Sequence, residues 1–376
     1  MSIVGLGSSV REQFLLPDGA YLLNHSVGCP PRSAKHAWLD KFMTPWATAG
    51  EEIWPHWMDA IGEFRAALAA LLSTKSDNIA PQVNLSSALT KILFALPQQG
   101  ERDRVVFSEQ DFPSMGFVLQ QSPRRQWRAD LIDQSRRLRD IETWVDAIDE
   151  RTAVVFITHV QSNTGAQLPV EEICAHARAM GAVTIVDVAQ SVGVVPIDVN
   201  AWAADFIIGS CVKWLCGGPG AGFLWLDEGQ INRCEPLDVG WFSHENPFEF
   251  DIHRFRLAPS ADRFLGGTPS VQPFAIAANS IETLRALGIE NVRAHNVALV
   301  DAMIAALPEM AVKTPRAIAE RGGTLVIDPT IDLPSDFAQS LKRRGLMFDE
   351  RATGLRLSPH CYNTLEDIEP FLQALR

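Results

Sequence analysis

The chain has 376 residues, of which 47% are hydrophobic and 21% are charged, a composition typical of a folded protein with a sizeable core. Its formal net charge of −12 argues against nucleic acid or an anionic membrane as the main partner, because both attract a basic surface. The N-terminal segment 1–19 lacks the basic start and long apolar run of a signal peptide, and no stretch approaches the ~20 apolar residues of a membrane span. We therefore expect a cytoplasmic protein that binds neither nucleic acid nor membrane.

Cysteine and histidine spacing gives no sign of a metal site or of a disulfide framework. The six cysteines include no CxxC pair, and the nine histidines form neither an HExxH nor an HxH pattern. Reduced thiols are the simplest interpretation, and we expect no bound metal.

From about residue 100, the sequence alternates between strand-like and helical patterns. Apolar spacing predicts a helix over 60–72, and helix-like stretches at 138–149 and 170–180 lie between several short apolar runs. Such alternation indicates a mainly parallel sheet covered by helices. The strands are predicted at 104–108, 153–158, 183–187, 206–209 and 223–226.

The sequence texture changes near residue 250. The segment 248–264 is polar and irregular, 271–288 has the pattern of a long helix, and 295–376 reads as helix, strand, helix, strand, helix. We expect an N-terminal arm over 1–17 that joins the small domain, a large domain over 18–255, and a small α+β domain over 256–376.

An acid and an amine each follow a predicted strand. Asp187 ends the strand 183–187, and the carboxyl end of a buried strand faces the crevice where α/β sheets bind ligands. Lys213 follows the strand 206–209 in a partly apolar setting, which lowers the pKa of an amine and favours the neutral nucleophile. Alone, Asp187 is equally compatible with a helix N-cap, and Lys213 with a solvated loop charge. Together they suit pyridoxal 5′-phosphate (PLP), which needs a lysine for its aldehyde and an acid for its ring nitrogen.

Two neighbouring features fit the same cofactor. Ser210 lies three residues before Lys213, so its hydroxyl is placed to reach the phosphate arm. The glycine run at 217–222 is neither a Walker A loop nor a GxGxxG motif. We interpret this run as a turn that lets the backbone pass close to the cofactor.

The motifs VDVAQSVGVVPIDV and SCVKWLCGGPGAGFLWL resemble the aspartate strand and the lysine segment of the class V aminotransferase family of fold-type-I PLP enzymes. Within that family, the chain is similar to kynureninases and isopenicillin-N-epimerase-like proteins over roughly residues 18–370. The resemblance implies that Lys213 carries PLP as a Schiff base, that Asp187 contacts the ring nitrogen, and that Gln190 contacts the 3′-oxygen. It also implies an α/β fold with a mainly parallel seven-stranded sheet between helices, followed by a smaller α+β domain.

Further motifs gain roles from this resemblance. Ser86 and Ser87 begin a predicted helix, whose N-terminus is an anion site or simply a serine N-cap; the family implies phosphate binding. SEQDFPSMGF resembles the kynureninase loop whose aromatic residue lies on the PLP ring, which implies stacking by Phe112. THVQSNTGAQLPV resembles the strand-end loop beside the cofactor, which places Ser162, Asn163 and Thr164 near the ring or the substrate, with Asn163 as a substrate contact.

The resemblance also implies an assembly with shared sites. GWFSHE resembles the kynureninase segment whose tryptophan, here Trp241, reaches the phosphate in the neighbouring subunit. FLGGTPSVQPF resembles a turn in which Thr268 reaches the phosphate across the interface. We therefore expect a homodimer with composite active sites.

GLRLSPHCYNT resembles the arginine strand of the family. Arg356 alternates with Leu355 and Leu357, which is compatible with a solvent-facing side chain. The family instead implies a planar guanidinium fork for the α-carboxylate of an amino-acid substrate.

The motifs favour an enzyme that acts on the α-carbon of an amino acid, of aminotransferase type. A desulfurase is disfavoured because the segment 341–354 has no cysteine. Kynureninase-like hydrolysis, or an epimerase or lyase reaction, is the alternative, although Met115, Val212 and Thr268 depart from the kynureninase pattern. A non-catalytic protein that binds a phosphorylated ligand is a remote alternative, because it gives Asp187 and Lys213 no joint purpose.

Overall fold

The protein is described by a computed structural model that covers residues 6–97, 100–121 and 128–375. Its strands are β1 Ala20–Tyr21, β2 Ile79–Gln82, β3 Arg104–Ser108, β4 Arg128–Ile132, β5 Thr152–Thr158, β6 Val183–Asp187, β7 Phe206–Ser210, β8 Gly222–Leu226, β9 Leu325–Ile327, β10 Leu346–Met347, β11 Asp349–Arg351 and β12 Gly354–Leu357. Its helices are α1 Ser8–Arg11, α2 Ala34–Trp38, α3 Thr44–Thr48, α4 Ile53–Leu71, α5 Leu85–Ala95, α6 Pro113–Gln120, α7 Ile141–Ala147, α8 Val170–Ala179, α9 Val199–Trp202, α10 Glu228–Ile231, α11 Gln272–Leu287, α12 Ile289–Ala306, α13 Phe337–Arg343 and α14 Leu365–Ala374.

A seven-stranded sheet forms the centre of the molecule, in the order β2-β8-β7-β6-β5-β3-β4. The neighbours from β4 to β7 pair in parallel, whereas β8 is antiparallel to both β7 and β2. The predicted α/β fold with a mainly parallel sheet is therefore confirmed. Because parallel strands end at the same edge, the last residues of β5, β6 and β7 are brought side by side.

Helices cover both faces of this sheet. In β5, Val155 and Ile157 belong to one hydrophobic cluster, whereas the alternate residues Val154 and Phe156 belong to another. This division follows from the two-residue period of a strand. The first cluster includes residues of α4, α8 and α11, and the second includes residues of α5 and α6. Burial on both faces explains why the central strands read as continuous apolar runs.

The predicted strands match five of the seven strands of the central sheet, and the two edge strands are the exceptions. β3 and β6 have the predicted bounds, and β5, β7 and β8 are each one residue longer than predicted. β2 and β4 were not predicted. The predicted helix at 60–72 is the second half of α4, and the one at 271–288 is α11, which ends at Leu287 and is separated from α12 by Gly288 alone.

A second sheet lies near the C-terminus, with β9, β12 and β11 pairing antiparallel. Together with α12, α13 and α14 it surrounds a separate hydrophobic cluster. β1 pairs in parallel with β10, so the N-terminal segment joins this part of the molecule. Phe274 of α11 packs on Phe64 of α4, with the ring centroids 4.9 Å apart. The proposed division into residues 1–17, 18–255 and 256–376 stays a prediction.

No helix in the described ranges is long and apolar enough to cross a membrane. The described residues also contain no group of three or more histidine, cysteine or acidic side chains suited to a metal ion. All six cysteines are free and buried.

Candidate active site

A cavity of about 230 Å³ opens at the carboxyl ends of β5, β6 and β7. Six of the predicted cofactor-binding residues line it together, although they come from segments far apart in the sequence. The lining consists of Leu85, Ser86, Phe112, Ser114, Met115, Thr158, Ser162, Asp187, Ala189, Gln190, Ser210 and Lys213.

Asp187 and Lys213 influence each other across this cavity. Asp187 is only 6% exposed, and its Oδ1 accepts a hydrogen bond of 2.7 Å from the backbone N–H of Ala189. Burial raises the pKa of Asp187 to about 6, and the nearby Lys213 ammonium opposes this rise. Burial also lowers the pKa of Lys213, whereas Asp187 acts to raise it. A buried acid and an amine of lowered pKa around one cavity are the two groups that PLP chemistry requires.

The loop that carries Lys213 connects β7 to β8 and is held by close backbone contacts. The N–H of Gly28 donates to the carbonyl of Val212 at 2.8 Å, and a Cβ at Gly28 would lie 2.1 Å from the carbonyl oxygen of Lys213. At Gly193, where φ is +100°, a Cβ would lie 2.7 Å from the carbonyl oxygen of Trp214. The sequence did not suggest that these glycines fix the Lys213 loop.

Phe112 lies at the mouth of the cavity, directly before α6. Its side chain is 56% exposed, and its ring centroid lies 5.9 Å from Nζ of Lys213. An exposed aromatic face beside the amine suits the predicted stacking on a cofactor ring.

Gln190 and Thr158 are the polar side chains beside Asp187. Gln190 already donates to the carbonyl of His25 at 3.1 Å and accepts from Nε1 of Trp214 at 3.4 Å. Thr158 pairs with Asp187 in the β5–β6 register, and its buried hydroxyl has no hydrogen-bond partner of good geometry in the described ranges, although the Asp111 carboxyl lies nearby. Thr158 is therefore a candidate ligand contact that we did not predict, and its signal was a hydroxyl that ends an otherwise apolar run.

The N-terminus of α5 reaches the cavity through Leu85 and Ser86. Asn84 is the N-cap, since its Oδ1 accepts from the backbone N–H of Ser87 at 2.8 Å. Ser87 is half-buried and is not among the residues that line the cavity. The helix terminus and the Ser86 hydroxyl suit an anionic group, while the predicted role of Ser87 stays a prediction.

The structure places Trp241 and Thr268 outside this cavity, in contact with each other. Nε1 of Trp241 donates to Oγ1 of Thr268 at 3.3 Å. Trp241 belongs to an aromatic surface formed with Trp54, Phe248 and Phe250, whose ring centroids lie 5.1, 5.6 and 5.8 Å from that of Trp241.

Arg356 is buried, with 7% exposure, and does not face solvent. Its Nε donates to Oδ2 of Asp349 at 3.1 Å, its Nη2 bonds the same oxygen, and its Nη1 donates to the carbonyl of Ser162 at 3.1 Å. Ser162 lines the cavity, whereas Arg356 and Asn163 are not among the lining residues. Arg356 lies next to the cavity, since it bonds Ser162 and its charge acts to lower the pKa of Lys213. His25 lies 3.5 Å from Asp349, and neither residue was predicted.

Comparisons with known proteins agree with this geometry. Residues 50–371 match the model of the family described as aminotransferase class-V. Curated kynureninases from Burkholderia mallei (strain SAVP1) and Pseudomonas fluorescens are 30% and 29% identical, over 91% of this chain and 84% of theirs.

Solved structures share the fold at lower sequence identity. The apo cysteine desulfurase from Thermococcus onnurineus NA1 has a TM-score of 0.85 and 23% identity, and the match covers 100% of this chain and 98% of that one. A mutant of C-DES, with glycine covalently linked to its PLP cofactor, has a TM-score of 0.86 and 20% identity over 97% and 98% of the chains. The chain therefore belongs to the class-V aminotransferase family, has the fold-type-I architecture, and has pyridoxal 5′-phosphate as its cofactor.

Proposed function

We propose that this PLP enzyme acts on the α-carbon of an amino acid and is of the aminotransferase type. The observation that carries the proposal is one cavity that joins Asp187 to Lys213, with Arg356 next to it. The buried acid and the amine suit the cofactor, and the guanidinium suits the α-carboxylate of a substrate.

The lining residues divide into contacts for the different parts of PLP. The amine of Lys213 would bind the aldehyde of the cofactor, Asp187 would face the ring nitrogen, and Phe112 would cover the ring. Gln190 and Thr158 would lie beside the 3′-oxygen, because both flank Asp187. The phosphate would be held by the α5 N-terminus, whose hydroxyl-bearing residues are Ser86 and Ser87, and by Ser210.

The protein residues supply binding and proton transfer. The cofactor, when bound, supplies an electron sink for negative charge that develops at the α-carbon. Arg356 binds the α-carboxylate and thereby orients the bonds at the α-carbon. Nζ of Lys213 then moves the α-proton, because burial lowers its pKa and favours the neutral amine that accepts a proton. Asp187, as a carboxylate, keeps the ring nitrogen protonated.

The cysteines support a reaction other than desulfuration. Cys361, the cysteine nearest to Arg356 in the sequence, is fully buried, and burial raises its thiol pKa. A desulfurase needs an accessible thiolate, which a buried thiol of raised pKa does not provide.

Kynureninase-like hydrolysis is the second candidate, because the relatives at 29–30% identity are named kynureninases. The cavity lining disfavours it, since the buried thioether of Met115 stands where kynureninases carry an aspartate. Val212 and Thr268 likewise replace a tyrosine and an asparagine. A lost polar contact costs about 1–3 kcal/mol when it is buried, and Met115 is the buried one of the three.

A screen of holoenzyme against the proteinogenic amino acids and L-kynurenine tests the proposal. We expect at least one amino acid to change the absorbance of the bound cofactor and to yield its keto acid together with the aminated cofactor. Alanine plus an aryl acid from kynurenine would instead establish the hydrolase. Absence of any response from protein that holds PLP contradicts both.

A homodimer with shared sites belongs to the same proposal. The aromatic surface is rich in exposed apolar side chains, with Phe250 74% and the neighbouring Ile252 90% exposed. Contiguous apolar exposure of this kind is typical of an interface. A second copy that binds there would bring Trp241 and Thr268 towards the partner's phosphate site. The cytoplasmic location stays a prediction.

A further inference from the structure

The guanidinium of Arg356 is held on two sides by the protein itself. Of its five N–H groups, two donate to Oδ2 of Asp349 and one donates to the carbonyl of Ser162. Two N–H groups remain, one on Nη1 and one on Nη2. A pair of this kind matches the two oxygens of a carboxylate.

We propose that Asp349 is a positioning residue for substrate recognition: it holds the Nε–Nη2 edge of Arg356, so that the remaining Nη1 and Nη2 hydrogens face the α-carboxylate. The inference rests on the proposed function, in which Arg356 binds that carboxylate. It assigns to Asp349 the orientation of the guanidinium and no contact with substrate.

Asp349 is itself fixed by the strands that carry it. β11 and β12 form a hairpin in which Asp349 is the cross-strand partner of Arg356. Opposite charges directly across a strand pair attract each other over a short, fixed distance. Partial burial acts to raise the pKa of Asp349, but the guanidiniums of Arg356 and Arg351 hold it well below its usual range. The carboxylate therefore stays ionised at every pH at which an enzyme of this kind is assayed.

His25 supports Asp349 without adding charge. Burial, together with the nearby Arg356, lowers the pKa of His25 to about 3, so its imidazole is neutral. The Ser358 hydroxyl lies 2.6 Å from Nδ1 of His25 and 3.0 Å from the carbonyl of Leu22, which already accepts the N–H of Ser358 at 2.8 Å. The carboxylate of Asp349, whose Oδ2 lies 3.5 Å from Nε2 of His25, favours the tautomer with its proton on Nε2, and in that tautomer Nδ1 accepts from the Ser358 hydroxyl. The opposite tautomer would direct a lone pair at a carboxylate.

The same histidine connects this ion pair to the cofactor pocket. The carbonyl of His25 accepts from Nε2 of Gln190, which lines the cavity beside Asp187. Arg356 is thus oriented relative to the cavity through two routes, Ser162 on one side and Asp349 with His25 on the other. Loss of Asp349 leaves the guanidinium able to rotate its Nε edge into the site.

Variants Asp349→Asn and Asp349→Ala test the proposal by isothermal titration of holoenzyme. The ligands are the amino acid with the strongest response in the screen and the amine that lacks its carboxylate. We expect Asp349→Ala to raise the Kd of the amino acid by about tenfold or more, because an oriented charge-assisted pair is lost. The Kd of the amine should stay within about twofold by the same reasoning, since no carboxylate is recognised. The Kd of the amino acid for Asp349→Asn should lie between the values for Asp349→Ala and the unchanged protein.

Glu350→Gln is the matched control, because Glu350 is the next residue of β11, is exposed, and pairs with Lys342. It should leave both Kd values unchanged. A tighter amino-acid Kd in Asp349→Ala would mean that Asp349 competes with substrate, and an equal weakening of both ligands would mean a purely structural role; either result overturns the proposal. If Arg356→Ala keeps the preference for the amino acid over the amine, the proposed role of Arg356 itself fails. A screen without any responding amino acid removes the proposed function and this inference together.

Discussion

Burial acts in opposite directions on the two ionisable groups that line the cavity. It raises the pKa of Asp187 to about 6 and lowers the pKa of Lys213, so each is driven towards its neutral form in the absence of a ligand. When PLP is bound, its protonated ring nitrogen next to Asp187 lowers the pKa of that residue again, because a cation in contact stabilises the carboxylate. The free protein therefore holds Asp187 at a cost in stability that PLP removes.

That cost predicts the behaviour of Asp187→Asn in cofactor-free protein. The pKa of Asp187 is about 6 in the folded protein, against its ordinary value of 3.8, so the folded state binds more protons and stability falls as the pH rises from about 4 to 6. We expect the cofactor-free variant to be more stable than the cofactor-free parent at pH 8, on the order of 2–3 kcal/mol. The difference should shrink as the pH is lowered towards 4. Urea unfolding measures it, and equal stability at pH 8 would contradict the assigned burial.

Lys213→Ala separates an enzyme from a protein that merely binds a phosphorylated ligand. Removal of the amine takes away both the covalent attachment and the proton acceptor, so we expect turnover to fall by about 10³-fold or more. Phosphate-site contacts persist, so PLP should still bind, although more weakly. Lys75→Ala is the control, because Lys75 is exposed and pairs with Glu228 away from the cavity. PLP binding that is not weakened in Lys213→Ala, together with no turnover by the unchanged protein, would favour the binding protein.

At the scale of elements, the loop between β7 and β8 depends on the N-terminal segment that packs on it. Gly28→Ala would place a methyl group 2.1 Å from the carbonyl oxygen of Lys213, and this neighbour is backbone, which cannot move aside cheaply. We expect the free energy of unfolding to fall by about 1–3 kcal/mol, as for other overpacked sites. The affinity for PLP should fall as well, because the loop carries Lys213.

Gly62→Ala is the contrasting substitution, because an added Cβ at Gly62 has free space. Gly62 is an exposed residue inside α4, and a Cβ there meets nothing within 4 Å. Alanine should stabilise the helix by about 0.5–1 kcal/mol. Denaturant unfolding of both variants checks the comparison, and a Gly28→Ala protein as stable as Gly62→Ala would mean that the loop is not held as described.

Elements and site residues were predictable from the sequence where they follow continuous apolar runs. Asp187 and Lys213 were found in this way, and Thr158 has the same pattern. β2 contains a proline and β4 is exposed along most of its length, so neither shows the apolar run of a buried strand. His25 and Asp349 were missed because their roles come from contacts across the fold, and residue spacing carries no signal for the 3.5 Å approach between them.

At the scale of the whole molecule, the aromatic surface determines the expected assembly. We expect a dimer of twice the 41.4 kDa chain mass in light scattering. A variant with Phe250→Asp and Ile252→Asp places charge on two of the most exposed apolar side chains of this region, and it should weaken the dimer by about tenfold or more. Its PLP affinity should fall in parallel, because Trp241 and Thr268 are proposed to reach the partner's site. Met310→Asp, at an exposed apolar residue elsewhere, is the control.

A monomeric wild-type protein with full PLP affinity would contradict the shared-site arrangement. Unchanged assembly in the Phe250→Asp, Ile252→Asp variant would place the interface on another surface. Neither result would bear on the contacts described within the cavity of one chain.

The central claim is that the amine of Lys213 carries the cofactor beside Asp187. Borohydride reduction of PLP-loaded protein, followed by proteolysis and mass spectrometry, tests it most directly. We predict that the yellow absorbance disappears and that the peptide containing Lys213 gains the mass of one reduced cofactor. A reduced cofactor on another lysine, or none on any peptide of a protein that had bound PLP, would contradict the account.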